Sequence, residues 1–285
     1  MTSSGLPPTP GDPGQRPGRR SARAIELLAR PTIEVARGLL GWRLVRDEGD
    51  EGDGGGDGGE RRAARIVELE AYIGEDDRAS HARFGRTARN EVMYGPPGRA
   101  YVYLVYGMHD CLNIVTEPAG TPAALLVRAV EPLVGIEAMR AAVARRRAAR
   151  RRADGARDVE PGGARGGSRT APSIAPPRTS PARIAAGPGL VCAAFDIDRS
   201  LSGRDLFDAG AAIRLEPPPD DEPLPAVVAG PRVGISYAGS PWTEVAWRFS
   251  IRANPSVSRP RPVDAATTVP GSEPEPDPDR DRSRR

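Results

Sequence analysis

The sequence predicts a single α+β domain with a curved antiparallel β-sheet flanked by helices. Three observations point there: strand-like segments joined by what reads as a long hairpin loop, helical patterning confined to a few short stretches, and no internal repeat within 285 residues.

Residues 1–21 are Pro, Gly, Ser and Arg with almost nothing to bury, so they read as a disordered arm. From Ala22, SARAIELLARPTIEVARGLLGWRLVR gives a short helix, a break at Pro31, a second helix through Val35, Leu39 and Leu40, and then a strand. Asp47 to Glu60 is a glycine-rich acidic run too polar to fold, hence a hairpin loop, and the strand resumes at Ala64 with ARIVELEAYIG. Val134 to Arg152 is helical by propensity and ends in an arginine run. The insertion from about 143 to 183 is arginine-rich and reads as disordered for lack of large apolar side chains. Order returns near Ile184, with a helix over Leu190 to Phe195 and a loop carrying Asp205 and Leu206. The last strands are AIRLE, AVVAGPRVGIS and VAWRFSIRA, so the folded domain spans 22–258 and the proline-rich acidic tail 259–285 is loose.

Composition removes several chemistries. The 41 basic side chains nearly balance 38 acidic ones, for a net charge of +3, and every basic one is arginine. Without lysine there is no side-chain Schiff base, no pyridoxal anchor and no Gly-Lys-Ser/Thr phosphate loop. Cys111 and Cys192, with only His81 and His109 to supplement them, offer neither a disulfide framework nor a four-ligand zinc site, and read as buried thiols. No cofactor or metal is expected. No run spans a membrane and no signal peptide opens the chain, so a cytoplasmic monomer, nucleoid-associated in a bacterium, is the default.

Four places carry unusual chemistry. In RAYVYLVYGMHDCLNI, alternation puts Tyr101 and Tyr103 on one face, while Tyr106, before Gly107, sits where the strand turns. Residue types leave two readings: phenols reaching water, or rings that stack on a nucleobase at roughly 1–3 kcal/mol each. In RIVELEAYIG, period two aligns Glu68, Glu70 and Tyr72, yet Ile66, Val67, Leu69 and Ala71 do not alternate cleanly, so both faces are expected to be covered there. A carboxylate in such a strand is either a salt-bridged surface group or a buried general base. His81 lies in a polar loop, as a hinge residue or a catalytic one. Arg128 sits inside the apolar strand ALLVRAVEP and needs a carboxylate partner, with Glu70 and Glu131 as candidates.

These segments together resemble the alkyladenine (3-methyladenine) DNA glycosylases, the family of the human alkylpurine glycosylase. The resemblance is carried by ARPTIEVARGLLGWRLVR, by RIVELEAYIGEDDRASHARFGRTARNEVMYGPPGRAYVYLVYGMHDCLNIV, by ALLVRAVEPLVGIEAMR, and by GPGLVCAAFDIDRSLSGRDL with GPRVGISYAG. It implies that Glu70 activates water as general base, with that water also held by Arg128 and by the backbone carbonyl of Val233. It further implies that Tyr72 and Tyr103 sandwich an extruded base, that His81 contacts it, and that Asn113 stands near the purine 2-position and disfavours guanine. Tyr106 would enter the minor groove with Met108 flanking it, and Arg86 and Arg89 would approach the DNA backbone. The implied partner is double-stranded DNA containing damaged purines. The implied reaction is monofunctional excision of alkylated or deaminated purines (3-methyladenine, 7-methylguanine, hypoxanthine, ethenoadenine), and the alternative is a non-catalytic damaged-DNA-binding protein of the same fold.

Three features depart from the family's pattern. The arginine-rich insertion is longer than the family's connection and would make DNA binding steeply salt dependent. Leu190 replaces a lysine the family often has after GPG or GPS, and Tyr237 with Ser240-Pro241 would reshape the pocket wall.

Overall fold

The computed structural model describes residues 22–28, 30–47, 60–105, 107–157 and 179–260. The expected arm, most of the insertion, the tail beyond 260 and Tyr106 lie outside the described residues. Helices α1 (Ala22–Leu28) and α2 (Thr32–Leu39) lead into β1 (Arg43–Arg46) and β2 (Arg62–Ile73). Then come β3 (Ala100–Val105), β4 (His109–Val115), β5 (Ala123–Val134), α3 (Ile136–Arg157) and α4 (Pro188–Ala194). Strands β6 (Ile213–Glu216), β7 (Val227–Gly230) and β8 (Arg248–Ile251) complete an eight-stranded antiparallel sheet.

The sheet runs β3-β4-β5-β2-β1-β6, and β2 is its pivot. One edge of β2 pairs with β5, while the other pairs first with β1 through Arg62 to Arg65 and then with β8 through Glu68 to Glu70. The long β1–β2 connection is thus a hairpin, with Arg46 opposite Arg62.

Helices cover one face. α2 buries Thr32, Val35, Ala36 and Leu39, the i, i+3, i+4, i+7 stripe its sequence carries. Its first N–H groups are met by a carboxylate from the β4–β5 turn: Glu117 accepts from the Thr32 N–H (2.7 Å) and hydroxyl (2.6 Å). A negative charge there also suits the positive end of the helix dipole. Beneath α2 and α4 lies the main core, with Leu69 and Ala71 of β2, Leu125 and Val127 of β5, and Leu112 and Ile114 of β4. Alternation therefore sends Glu70 and Tyr72 of β2, Leu126 and Arg128 of β5, and Cys111 and Asn113 of β4 to the opposite face.

α3 runs to Arg157, through the stretch to Arg152 expected to be helical and five residues beyond it, so the insertion expected from about 143 begins as helix. Met139, Ala142 and Val143 are buried, and Arg146 continues the stripe by pairing with Asp110 of β4 at 2.6 Å. The alanine- and arginine-rich sequence has high helix propensity after its apolar stripe ends. Gly135 makes the turn from β5: its φ is +70°, and a β-carbon there would lie 2.5 Å from the Arg61 carbonyl oxygen. At the far end order persists past Val257. Ser258 is buried and Arg248 donates to the carbonyl of Pro260 at 2.7 Å. No helix among the described residues is long and apolar enough to cross a membrane.

Candidate active site

Register brings four strands together on the face opposite the helices, which is itself covered, as the nearly unbroken burial of β2 and β5 shows. Tyr101 of β3 pairs with Asn113 of β4, Asn113 with Leu126 of β5, and Leu126 with Glu70 of β2, forming one row across the sheet. Tyr103 and Cys111 pair in an adjacent row. Over these rows opens a cavity of about 440 Å³, within the range of small-molecule sites. Its walls include Tyr72, His81, Tyr101, Tyr103, Asn113 and Arg128.

Glu70 is fully buried behind this cavity, and its three partners all line it. The backbone N–H of Val233 donates to Oε1 at 2.7 Å, the Tyr72 hydroxyl donates to Oε2 at 3.0 Å, and Arg128 Nη1 donates to Oε2 at 3.2 Å. Burial pushes the Glu70 carboxyl above its ordinary range, against the opposing pull of Arg128, the Val233 N–H, Tyr72 and Arg248. Desolvation also raises the Tyr72 phenol well above its usual value, with the Glu70 charge reinforcing it, so Tyr72 remains a donor.

Arg128 has a second carboxylate that sequence reading did not assign to it. Its Nε lies 3.4 Å from Glu68 Oε1, whereas Glu131, one of the expected partners, instead pairs with Arg65 at 3.5 Å and accepts from Asn254. The cause is local geometry. Pairing of β2 with β5 slips between Ile66 and Glu68 and again between Glu68 and Leu69, leaving Val67 and Arg128 without register partners. A bulge re-aims side chains. Here Val67 turns into a separate apolar cluster with Ala129 and Val257, while Glu68 and Arg128 face one another. The broken alternation of Ile66, Val67, Leu69 and Ala71 is the sequence trace of that bulge. Glu68 is itself fixed by Arg248 Nε (2.5 Å) and by the N–H of Ser258 (2.7 Å). Removing one member of such a buried network costs roughly 3–5 kcal/mol.

The opposite wall hangs on a buried pair that sequence reading missed. Arg232, adjacent to Val233, makes a two-pronged ion pair with Asp77 (2.6 and 2.9 Å) and donates to the carbonyl of Ala71 (2.9 Å). Its guanidinium lies 4.8 Å from the Tyr72 ring centre and 5.0 Å from that of Trp247. Asp77 in turn accepts from the N–H groups of Ile73 and Ala79, which sets the loop leading to His81. The His81 ring packs edge-on to Tyr103, 4.3 Å between centres, with Nδ1 2.9 Å from the Tyr101 hydroxyl. Burial, then Arg89 and Arg83, lower its pKa to about 4, so the ring is neutral near pH 7. The Asn113 amide donates to the carbonyls of Tyr101 (3.0 Å) and Cys111 (3.3 Å), which fixes its orientation in the cavity.

A buried carboxylate held by an arginine, a phenol and a backbone N–H, behind an aromatic cavity, is one half of the argument for kinship; the other is its reach along the chain. The family model for methylpurine-DNA glycosylase matches residues 26–255. The chain belongs to that family. Among similar proteins, one from Methanocella arvoryzae is 42% identical over 82% of this chain and 94% of its own length. Another, from Anaeromyxobacter dehalogenans strain 2CP-1, is 41% identical over 84% and 86%. One from Bacillus cereus is 36% identical over 80% and 94%. All three carry the provisional name 3-methyladenine DNA glycosylase.

In this glycosylase-family chain the expected site residues divide into two groups. Tyr72, His81, Tyr103, Asn113, Arg128 and Val233 all line the one cavity, with Glu70 directly behind them. Arg89 also lines it, donating to the carbonyl of Leu104 at 3.2 Å, and Tyr237 closes the rim with its hydroxyl donating to the Ala79 carbonyl. Arg86 lies outside, ion-paired with exposed Glu91 at 2.8 Å. Met108 is half exposed at the β3–β4 turn beside Arg150. Cys111 and Cys192 are free buried thiols, and no cluster of three metal-binding side chains occurs among the described residues.

Proposed function

We propose that this chain excises alkylated or deaminated purines from duplex DNA by flipping the base into the cavity and hydrolysing its N-glycosidic bond. The observation that carries the reading is Glu70: a buried carboxylate whose partners all line an aromatic cavity of about 440 Å³. The Val233 N–H and Tyr72 hydroxyl hold the carboxylate in place, and its raised basicity suits it to take a proton from water. That water attacks the anomeric carbon as the C–N bond to the base breaks and positive charge builds on the sugar. A purine alkylated at N3 or N7 is already cationic and leaves readily.

Tyr72, Tyr103 and His81 supply ring faces and edges for the flipped base. Asn113, fixed by its two backbone contacts, stands where the 2-amino group of guanine would collide with it. The Val233 carbonyl and Arg128 complete the binding of the water. Tyr106 fills the space the base vacates, Met108 flanks it, and Arg89 and Arg86 approach the backbone. The product is an abasic site with an intact strand, because the chain contains no lysine for a side-chain Schiff base.

The test is release of free base under single-turnover conditions from duplexes bearing 3-methyladenine, 7-methylguanine, hypoxanthine or ethenoadenine, against undamaged duplex. Release from at least one damaged duplex is expected. Release from none, with tight binding to abasic duplex, would replace the enzyme reading with a damage-binding one.

A further inference from the structure

We infer that the arginine-bearing C-terminal half of α3 is a second backbone-binding surface for duplex DNA, led by Arg150. This rests on duplex DNA being the substrate, as proposed above, and adds a face that the base-binding cavity does not include.

Between residues 145 and 152 the helix carries Arg145, Arg146, Arg147, Arg150, Arg151 and Arg152. Two are neutralised within the fold: Arg145 lies 3.0 Å from Asp196 and Arg146 lies 2.6 Å from Asp110. The other four have no carboxylate within ion-pair distance among the described residues. Arg147, Arg150 and Arg151 occupy i, i+3 and i+4 positions and so share one face of the helix. The helix dipole favours cations only in the last turn, and α3 continues to Arg157, so it does not account for charges placed this far upstream.

Arg150 shows where that face points. Its Nη1 is 2.9 Å from His109 Nε2 and its Nη2 touches Met108 Sδ, at the start of β4 next to the β3–β4 turn. Neither contact is with a carboxylate, so the guanidinium is not ion-paired by them. His109 packs against Gly189, where a β-carbon would come within 2.9 Å of the ring, and the neighbouring Pro188 lines the cavity. Arg150 is therefore connected to the cavity wall through His109 and the Pro188–Gly189 turn. Arg89, from the loop before β3, matches it against that strand, hydrogen-bonding only the carbonyl of Leu104 among the described residues. Each strand of the hairpin is thus touched by a guanidinium from a neighbouring segment that has no carboxylate partner among the described residues. Phosphates supply the missing anion, in the two-pronged geometry guanidinium favours.

The experiment measures binding of the full chain to a short undamaged duplex across a salt series, beside base release from a 7-methylguanine duplex. Replacing Arg147, Arg150 and Arg151 together by Gln is expected to weaken binding at least about tenfold at low salt. It should also flatten the slope of log affinity against log salt by about 0.9 for each phosphate that the variant no longer neutralises. The triple Lys replacement should keep most of the affinity and slope, and Arg30→Gln, which removes a charge paired with Glu26 in another region, should change neither. A triple Gln variant that binds like the parent, with the parent releasing base, overturns the α3 surface and leaves the glycosylase reading intact. A parent that binds through α3 yet releases no base from any damaged duplex does the reverse. A parent that binds no duplex overturns both.

Discussion

As the proposed base, Glu70 would owe its basicity to its surroundings. In water its carboxyl would be a weak proton acceptor; burial disfavours the charge and raises the pKa, while Arg128 and the Val233 N–H stop the group from becoming permanently neutral. The sign of the pH dependence follows. Catalysis needs the ionised form, so single-turnover excision of a cationic methylated purine is expected to fall as pH drops through a pKa above the ordinary carboxylate range. A profile that stays flat until the ordinary range would remove Glu70 from that role. Arg232 acts one step further away, through the Tyr72 ring and the Val233 backbone. Arg232→Met strands Asp77 and should lower the melting temperature. It should also slow excision by roughly 10- to 100-fold at temperatures where the variant is fully folded, since small misplacements of reacting groups are costly. A folded variant with the parental rate would make Arg232 structural only.

Among the elements, β2 and the β3–β4 hairpin divide the work. β2 is tied on both edges, by β5 and β8, and its bulge holds Glu68 and Arg128 face to face, so the carboxylate end of the site is rigid. The hairpin instead projects, with half-exposed Met108 beside its glycine turn. Function at the hairpin is expected to sit in exposed side chains. Under the wedge reading, Tyr106→Ala should weaken binding to abasic duplex and slow excision. Unchanged abasic-site affinity would count against a wedge at that position.

For the whole molecule, what was legible in the sequence was what breaks a pattern locally. Glu70 and Arg128 stood out as charges in apolar strands, and Tyr101 and Tyr103 as rings in alternation; the sheet brings all four to one side. The failed alternation was read as a sheet covered on both faces; that a bulge lies there, and that Glu68 rather than Glu131 is the second partner of Arg128, depends on a two-strand register that no single strand encodes. The Asp77–Arg232 pair left no trace, because its members are 155 positions apart and Arg232, expected within a strand, lies just beyond the end of β7 at Gly230. The length of α3 was underestimated because its last turns are held by propensity and by contacts such as Arg146 with Asp110, not by an apolar stripe.

The central claim is that Glu70 performs the hydrolysis. Its most direct test compares single-turnover release of free base by the parent and by Glu70→Gln from the same methylated duplex, with abasic-duplex affinity measured in parallel. The account expects Gln to reduce the rate by about 10²- to 10⁴-fold, the span of general-base catalysis, while affinity stays within a few-fold of the parent. A Gln variant that excises within a few-fold of the parent would contradict it.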